Sequence, residues 1–166
     1  MHLVLTHTDF PLYWIPRIRV LNRALRKKGD QLTVLSVTSK SSTYNFAEIT
    51  SFSNSDIRWI NLFKDKDIYS IPSKHIAAAV FQKLEVVKPD IVIAISIVFP
   101  PGAVAVRWSK MRKRPIIVID GGSTDGSAEI IKRYEKYLSY WVSEPDGGQA
   151  GAINRGFMKS TGDLVT

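Results

Sequence analysis

The residues best suited to chemistry fall in two short constellations, Asp120-Gly121-Gly122-Ser123-Thr124-Asp125-Gly126-Ser127 and Ser143-Glu144-Pro145-Asp146-Gly147-Gly148-Gln149. Each places acids and paired glycines just ahead of a segment with helical periodicity. The first follows an apolar run over residues 115–119, so it reads as strand, tight turn and helix. Adjacent glycines let the backbone take positive φ or pass close to a ligand, and the Ser/Thr/Asp cluster can cap the helix behind them. An acid is thereby presented at a strand's carboxyl end, the edge where open α/β sheets bind ligands. Asp120 is the leading candidate. The second constellation continues into Ala152-Ile153-Asn154-Arg155-Gly156-Phe157. Either stretch alone also suits a plain capped loop; the two together point to a site.

Other chemistries lack their residues. There is no P-loop and no Gly-x-Gly-x-x-Gly, so the common phosphate cradles are missing. His2, His7 and His75 do not have metal-ligand spacing, and no nucleophile-elbow sequence supports a Ser/His/Asp triad. With no cysteine, thiolate metal sites and disulfides are excluded.

The elements that must carry these residues alternate between strand and helix. Residues 2–6 form an apolar strand, and Trp14, Ile18, Leu21 and Leu25, with Ile15 alongside, mark one face of a helix that Gly29 stops. A second strand spans 32–37. Residues 38–54, rich in Ser, Thr and Asn, read as loop, residues 57–60 as a short strand and residues 61–71 as an exposed connection. Ile76, Val80, Phe81, Leu84 and Val87 predict a helix ended by Pro89. The Ile/Val-rich run 91–98 is the pattern of a strand covered on both faces, central in its sheet. Pro100-Pro101-Gly102 opens a helix carried by Val104, Trp108 and Met111. Residues 116–119 feed the Asp120 turn, 128–138 are helical, 140–143 form a strand and 149–159 a further helix. The fold class is therefore α/β, a mostly parallel, Rossmann-like sheet with helices on both faces and right-handed crossovers.

The chain has 166 residues and a formal net charge of +8. Residues 1–114 hold 18 Lys/Arg against 8 Asp/Glu, whereas 115–166 hold 5 against 7. This asymmetry predicts a boundary near residue 115. A basic surface attracts phosphates, nucleic acid or anionic lipid, although charge runs also serve as solvated helix faces. No apolar run reaches the roughly 18 residues that span a bilayer, and the first residues lack a signal peptide's pattern. The expected location is cytoplasmic, with the inner face of the membrane as a place of contact.

From about residue 116 to 166, the phrases VIDGGSTDGS, SEPDGGQ, AINRGF and STGDLV resemble the front half of family 2 glycosyltransferases of the GT-A fold. The resemblance implies that Asp120, with Gly121 and Gly122, meets the nucleotide of a nucleotide-sugar donor. It also places Asp146, Gln149, Asn154 and Arg155 along the donor pocket, where a planar guanidinium suits a diphosphate. Two departures stand out. Gly151 occupies a position where relatives often carry an acid, and the resembling segment ends at Thr166, before the place where the family carries the Asp-x-Asp motif that holds manganese or magnesium. A divalent cation is thus expected of the family without its motif being present. Residues 1 to about 117, with VLTHTDFPLYWIPRI and KPDIVIAISIVFPPGAVAVRW, more loosely resemble the amino-terminal domain of family 4 glycosyltransferases of the GT-B fold, which mainly faces the acceptor.

The chain is accordingly expected to be a chimeric or truncated glycosyltransferase-related product, a family 4-like segment 1–115 and a partial family 2-like segment 116–166 packed as one continuous domain. It should bind a nucleotide-sugar weakly and turn over little or nothing, with an unspecified acceptor. The competing reading is a non-catalytic basic domain on an anionic membrane surface or polyphosphate. No specific nucleic-acid partner is expected, because no reader motif accompanies the charge.

Overall fold

The computed structural model describes residues 1–10, 14–39, 57–94 and 99–159; within the last helix the side chains of Gln149, Ala150, Ile153 and Phe157 lie outside that description. The chain divides into two compact units, Met1–Met111 and Arg112–Thr166.

The first unit is built on a parallel sheet of four strands: β1 (His2–His7), β2 (Gln31–Ser36), β3 (Arg58–Asn61) and β4 (Ile91–Ala94), in the order β3-β2-β1-β4. Its helices are α1 (Trp14–Lys27), α2 (Ser73–Val87) and α3 (Pro100–Met111). The chain steps outward from β1 to β3, then passes back across to the far side of β1. Right-handed crossovers in opposite directions put their helices on opposite faces of the sheet. The pleat agrees: Val4 and Leu35 pack with Val37, Ile76, Val80, Leu84, Val104 and Trp108 on the α2/α3 side. Leu3, Leu5, Leu32 and Val34, equally buried, fall on the alternate pleat. The fold is α/β, with a mostly parallel, Rossmann-like sheet flanked by helices.

Several terminations follow directly from residue type. Gly29, at φ 76°, ends α1: its N–H donates to the Arg26 carbonyl at 3.0 Å and that of Asp30 to Leu25 at 3.0 Å, the paired bonds of a Schellman cap. Helix α2 closes with Lys88 in the left-handed region, its N–H on the Leu84 carbonyl, just before Pro89. Trp108 is buried and donates from Nε1 to Glu85 at 2.7 Å, pinning α3 to α2.

Three expectations are corrected here. In the described pairing β1 and β2 hold the interior and β4 the end of the sheet, while residues 95–98 lie outside the described residues. An Ile/Val run also suits a strand paired on one side and covered by a helix, as α3 covers β4. Met111 is exposed, and the α3 core comes instead from Val104, Ala105 and Trp108. On α1, Asn22 is buried and Leu21 only partly so.

The second unit contains β5 (Ile117–Asp120), α4 (Ser127–Arg133), β6 (Tyr140–Ser143) and α5 (Gln149–Lys159), with β5 and β6 parallel. The single helix expected over 128–138 is interrupted at Tyr134, whose N–H reaches the Ile131 carbonyl, and continues as a 3-10 turn over Glu135–Tyr137. Only Ile131 of α4 is buried. So little apolar surface gives a longer helix no packing to hold it.

Leu84 is fully buried, whereas Val86 two residues on is 72% exposed. Leu84→Ala should lower the unfolding free energy by about 2–5 kcal/mol in urea. Val86→Ala should stay within about 0.5 kcal/mol of the parent.

Candidate functional site

Strands β5 and β6 run in parallel with Asp120 opposite Ser143 at their carboxyl ends. The half-buried Asp120 carboxylate is held by neighbours on both strands. The Ser123 N–H donates to Oδ2 at 2.9 Å, the Ser123 hydroxyl to Oδ1 at 2.5 Å and the Ser143 hydroxyl to Oδ2 at 2.7 Å. Partial burial pushes the Asp120 carboxyl up, but the hydrogen bonds from Ser123 and Ser143 outweigh it and hold the pKa below its ordinary value. Asp120 is therefore an anion at neutral pH. Because its folded-state pKa lies below the unfolded one, ionised Asp120 favours the folded turn above the usual carboxylate range. The contribution is lost as pH falls through the depressed value.

The turn itself depends on the two glycines. Gly122 has φ 85°, and a Cβ there would crowd the Pro145 nitrogen at 3.1 Å; at Gly121 a Cβ would meet the Asp146 carboxylate oxygens at 3.1 and 3.2 Å. The two constellations thus close against each other. Of the expected capping residues, Ser123 turns back onto Asp120. Asp125 accepts the Ser127 N–H at 3.1 Å just ahead of α4, whose N-cap is Gly126 with no side-chain cap bond. Hydrogen bonds from the Ser127 hydroxyl and N–H hold the Asp125 pKa below its ordinary value.

On the second constellation, the Asp146 Oδ1 accepts the Gly148 N–H at 2.7 Å, shaping the entry to α5. Arg155 donates from Nη1 to Glu144 Oε1 and from Nη2 to the Pro145 carbonyl at 3.0 Å. The Glu144 N–H in turn donates to the Asp120 carbonyl at 3.1 Å. Asn154 is exposed on α5, and the Gln149 side chain lies outside the described residues. Gly151 has a local reason for lacking a side chain. A Cβ there would overlap the Asp146 carbonyl oxygen, so no side chain fits on this backbone, the acid expected from the resemblance included.

The structure therefore brings Asp120, Gly121, Gly122, Asp146 and Arg155 into one local arrangement. Residue type alone does not reveal the roles of Ser123 and Ser143 on Asp120 or of Glu144 on Arg155. Their signal was positional: Ser143 ends a strand as Asp120 does, and Glu144 follows it directly. Chemically, an ionised carboxylate can only accept hydrogen bonds and a guanidinium can only donate them. Among the described residues no group of three or more His, Asp or Glu side chains could hold a metal ion, and no described helix is long and apolar enough to cross a membrane.

Residues 107–166 match the family model described as Glycosyl transferase family 2. Two curated relatives, uncharacterized glycosyltransferases of Mycobacterium tuberculosis from strains CDC 1551 / Oshkosh and ATCC 25618 / H37Rv, are each 47% identical over 49 residues. That alignment covers 30% of this chain and only 19% of either relative. These matches establish the family 2 glycosyltransferase resemblance of the carboxyl-terminal part. The family 4 resemblance expected of residues 1 to about 117 is not shown by these matches.

Ser143→Ala should raise the Asp120 pKa toward its ordinary value, read from the carboxyl carbon shift in an NMR pH titration. An unmoved titration would mean that Ser143 does not hold the anion. Gly151→Ala should cost about 1–3 kcal/mol in thermal unfolding, because the Asp146 carbonyl or the start of α5 must move.

Proposed function

We propose that the second unit contributes a nucleotide-sugar site to a glycosyltransferase, with the nucleoside on Asp120 and the diphosphate near Arg155. The observation that carries this reading is the Asp120 carboxylate, held by Ser123 and Ser143 at the end of β5 beside a glycine turn, in the segment that matches the family 2 model. An acceptor-only group at this edge suits the N–H and O–H donors of a base or ribose and repels phosphate. The nearby donor-only Arg155 suits phosphate oxygens, so the two ends of the ligand sort themselves by hydrogen-bond type.

Gly121 and Gly122 let the Pro145-Asp146 loop close on the Asp120 turn, and Asp146 and Asn154 are assigned to the wall of the pocket, with Gln149 assigned by the family resemblance alone. The reaction served is transfer of the sugar from its diphosphate to a hydroxyl of an acceptor. The bond from the anomeric carbon to the diphosphate oxygen breaks, the acceptor oxygen bonds to that carbon, the hydroxyl proton passes to solvent, and a nucleoside diphosphate leaves. The developing charge of that leaving group needs neutralising, and Arg155 is assigned that role. A cytoplasmic location fits a chain without cysteines.

Calorimetric titration with UDP-, GDP- and dTDP-sugars at low salt with manganese should detect binding of one of them. Asp120→Asn should weaken it about tenfold to a hundredfold, the cost of losing a hydrogen bond to a charged group. Absence of binding for all three donors would remove the proposal, and an Asp120→Asn variant that binds as well as the parent would remove the assignment of Asp120.

A further inference from the structure

The guanidinium assigned to the diphosphate already has partners. Arg155 spans the Glu144 carboxylate and the Pro145 carbonyl, both in the loop that leads from β6 to α5. That loop is tied to the nucleoside end of the site, since the Glu144 N–H donates to the Asp120 carbonyl. Carboxylate and phosphate compete for the same planar fork of donors. The side chains are 34% exposed at Arg155 and 54% at Glu144, so solvent screens the pair and little is lost when it parts. A diphosphate arriving with Glu144 still in place would meet both an occupied guanidinium and a like charge.

We propose that Glu144 is a positioning residue that holds Arg155 on the β6–α5 loop in the absence of ligand and yields it to the diphosphate when ligand binds. One guanidinium thereby exchanges a carboxylate for a phosphate. This inference rests on the donor-site reading above and goes beyond it, because it makes Glu144 a determinant of affinity for the diphosphate end alone. The nucleoside end, held by Asp120, is indifferent to the exchange.

The test compares the parent with Glu144→Gln, Arg155→Gln and the double variant, titrating each with inorganic pyrophosphate, UDP and uridine at low salt. Glu144→Gln should bind pyrophosphate and UDP about three- to tenfold tighter, the range set by parting an exposed ion pair and removing one like charge. Uridine binding should not change. The gain should vanish in the Arg155→Gln background, whereas a general field effect of the lost charge would persist there.

Equal or weaker pyrophosphate binding by Glu144→Gln overturns the proposal, as does a gain that survives without Arg155 or pyrophosphate binding by no variant. A lowered melting temperature with no gain in affinity would show the pair to be structural only, which also overturns it. The two readings separate cleanly. UDP binding to the parent without any effect of Glu144→Gln leaves the donor site standing and ends the exchange. An Arg155-dependent gain for pyrophosphate, with no binding of UDP-, GDP- or dTDP-sugars, supports the exchange and ends the donor site.

Discussion

The parallel register that sets Asp120 opposite Ser143 is the constraint from which the second unit's site is built outward. A slip of one residue would turn Asp120 to the other face of the strand pair and take Ser143 out of its reach. With the register as it is, a hydroxyl from β6 and both donors of Ser123 converge on one carboxylate. The chain must then turn sharply after Asp120, and the loop after Ser143 must pass close by. Gly121 and Gly122 provide the space, since any Cβ there would press on Asp146 or Pro145.

Much of this was legible because it depends on local chemistry. Gly29 stopped α1 through backbone bonds that only a positive φ allows without strain, and α5 runs over Gln149–Lys159 as its periodicity implied. The Asp120 turn was legible for the same reason, as two glycines and an acid after an apolar run leave few alternatives. What escaped was set by packing. The helix over 128–138 breaks at Tyr134 because only Ile131 of α4 is buried, and a heptad-like spacing of Ile131, Tyr134 and Leu138 does not reveal that. Met111 occupies an apolar position by spacing and yet lies exposed at the end of α3.

The site residues divide along the same line. Asp120 could be placed from its strand alone, whereas the role of Ser143 depends on which strand pairs with β5 and in what register. Gly151 looked like a lost acid, because the sequence shows the absence of a side chain and not what fills the space. The Asp146 carbonyl fills it, so the glycine is a requirement of this loop's path into α5.

Charge explains why the proposed donor site would depend so heavily on one guanidinium. The whole chain carries +8, but residues 115–166 hold 7 acids against 5 Lys/Arg, and Asp120, Glu144 and Asp146 surround the turn. Charges beyond about 8–10 Å are largely screened at physiological salt, so the basic residues elsewhere in the sequence cannot offset this local excess unless they approach closely. An anionic ligand is therefore not drawn to this turn by the segment's own net field. Its phosphates need a directed partner at short range, and its neutral donors need an acceptor that is already ionised and fixed. The hydrogen bonds of Ser123 and Ser143 meet the second need by keeping Asp120 charged and in place. In the proposed donor site the first falls to Arg155, whose guanidinium is already turned toward the acid beside it.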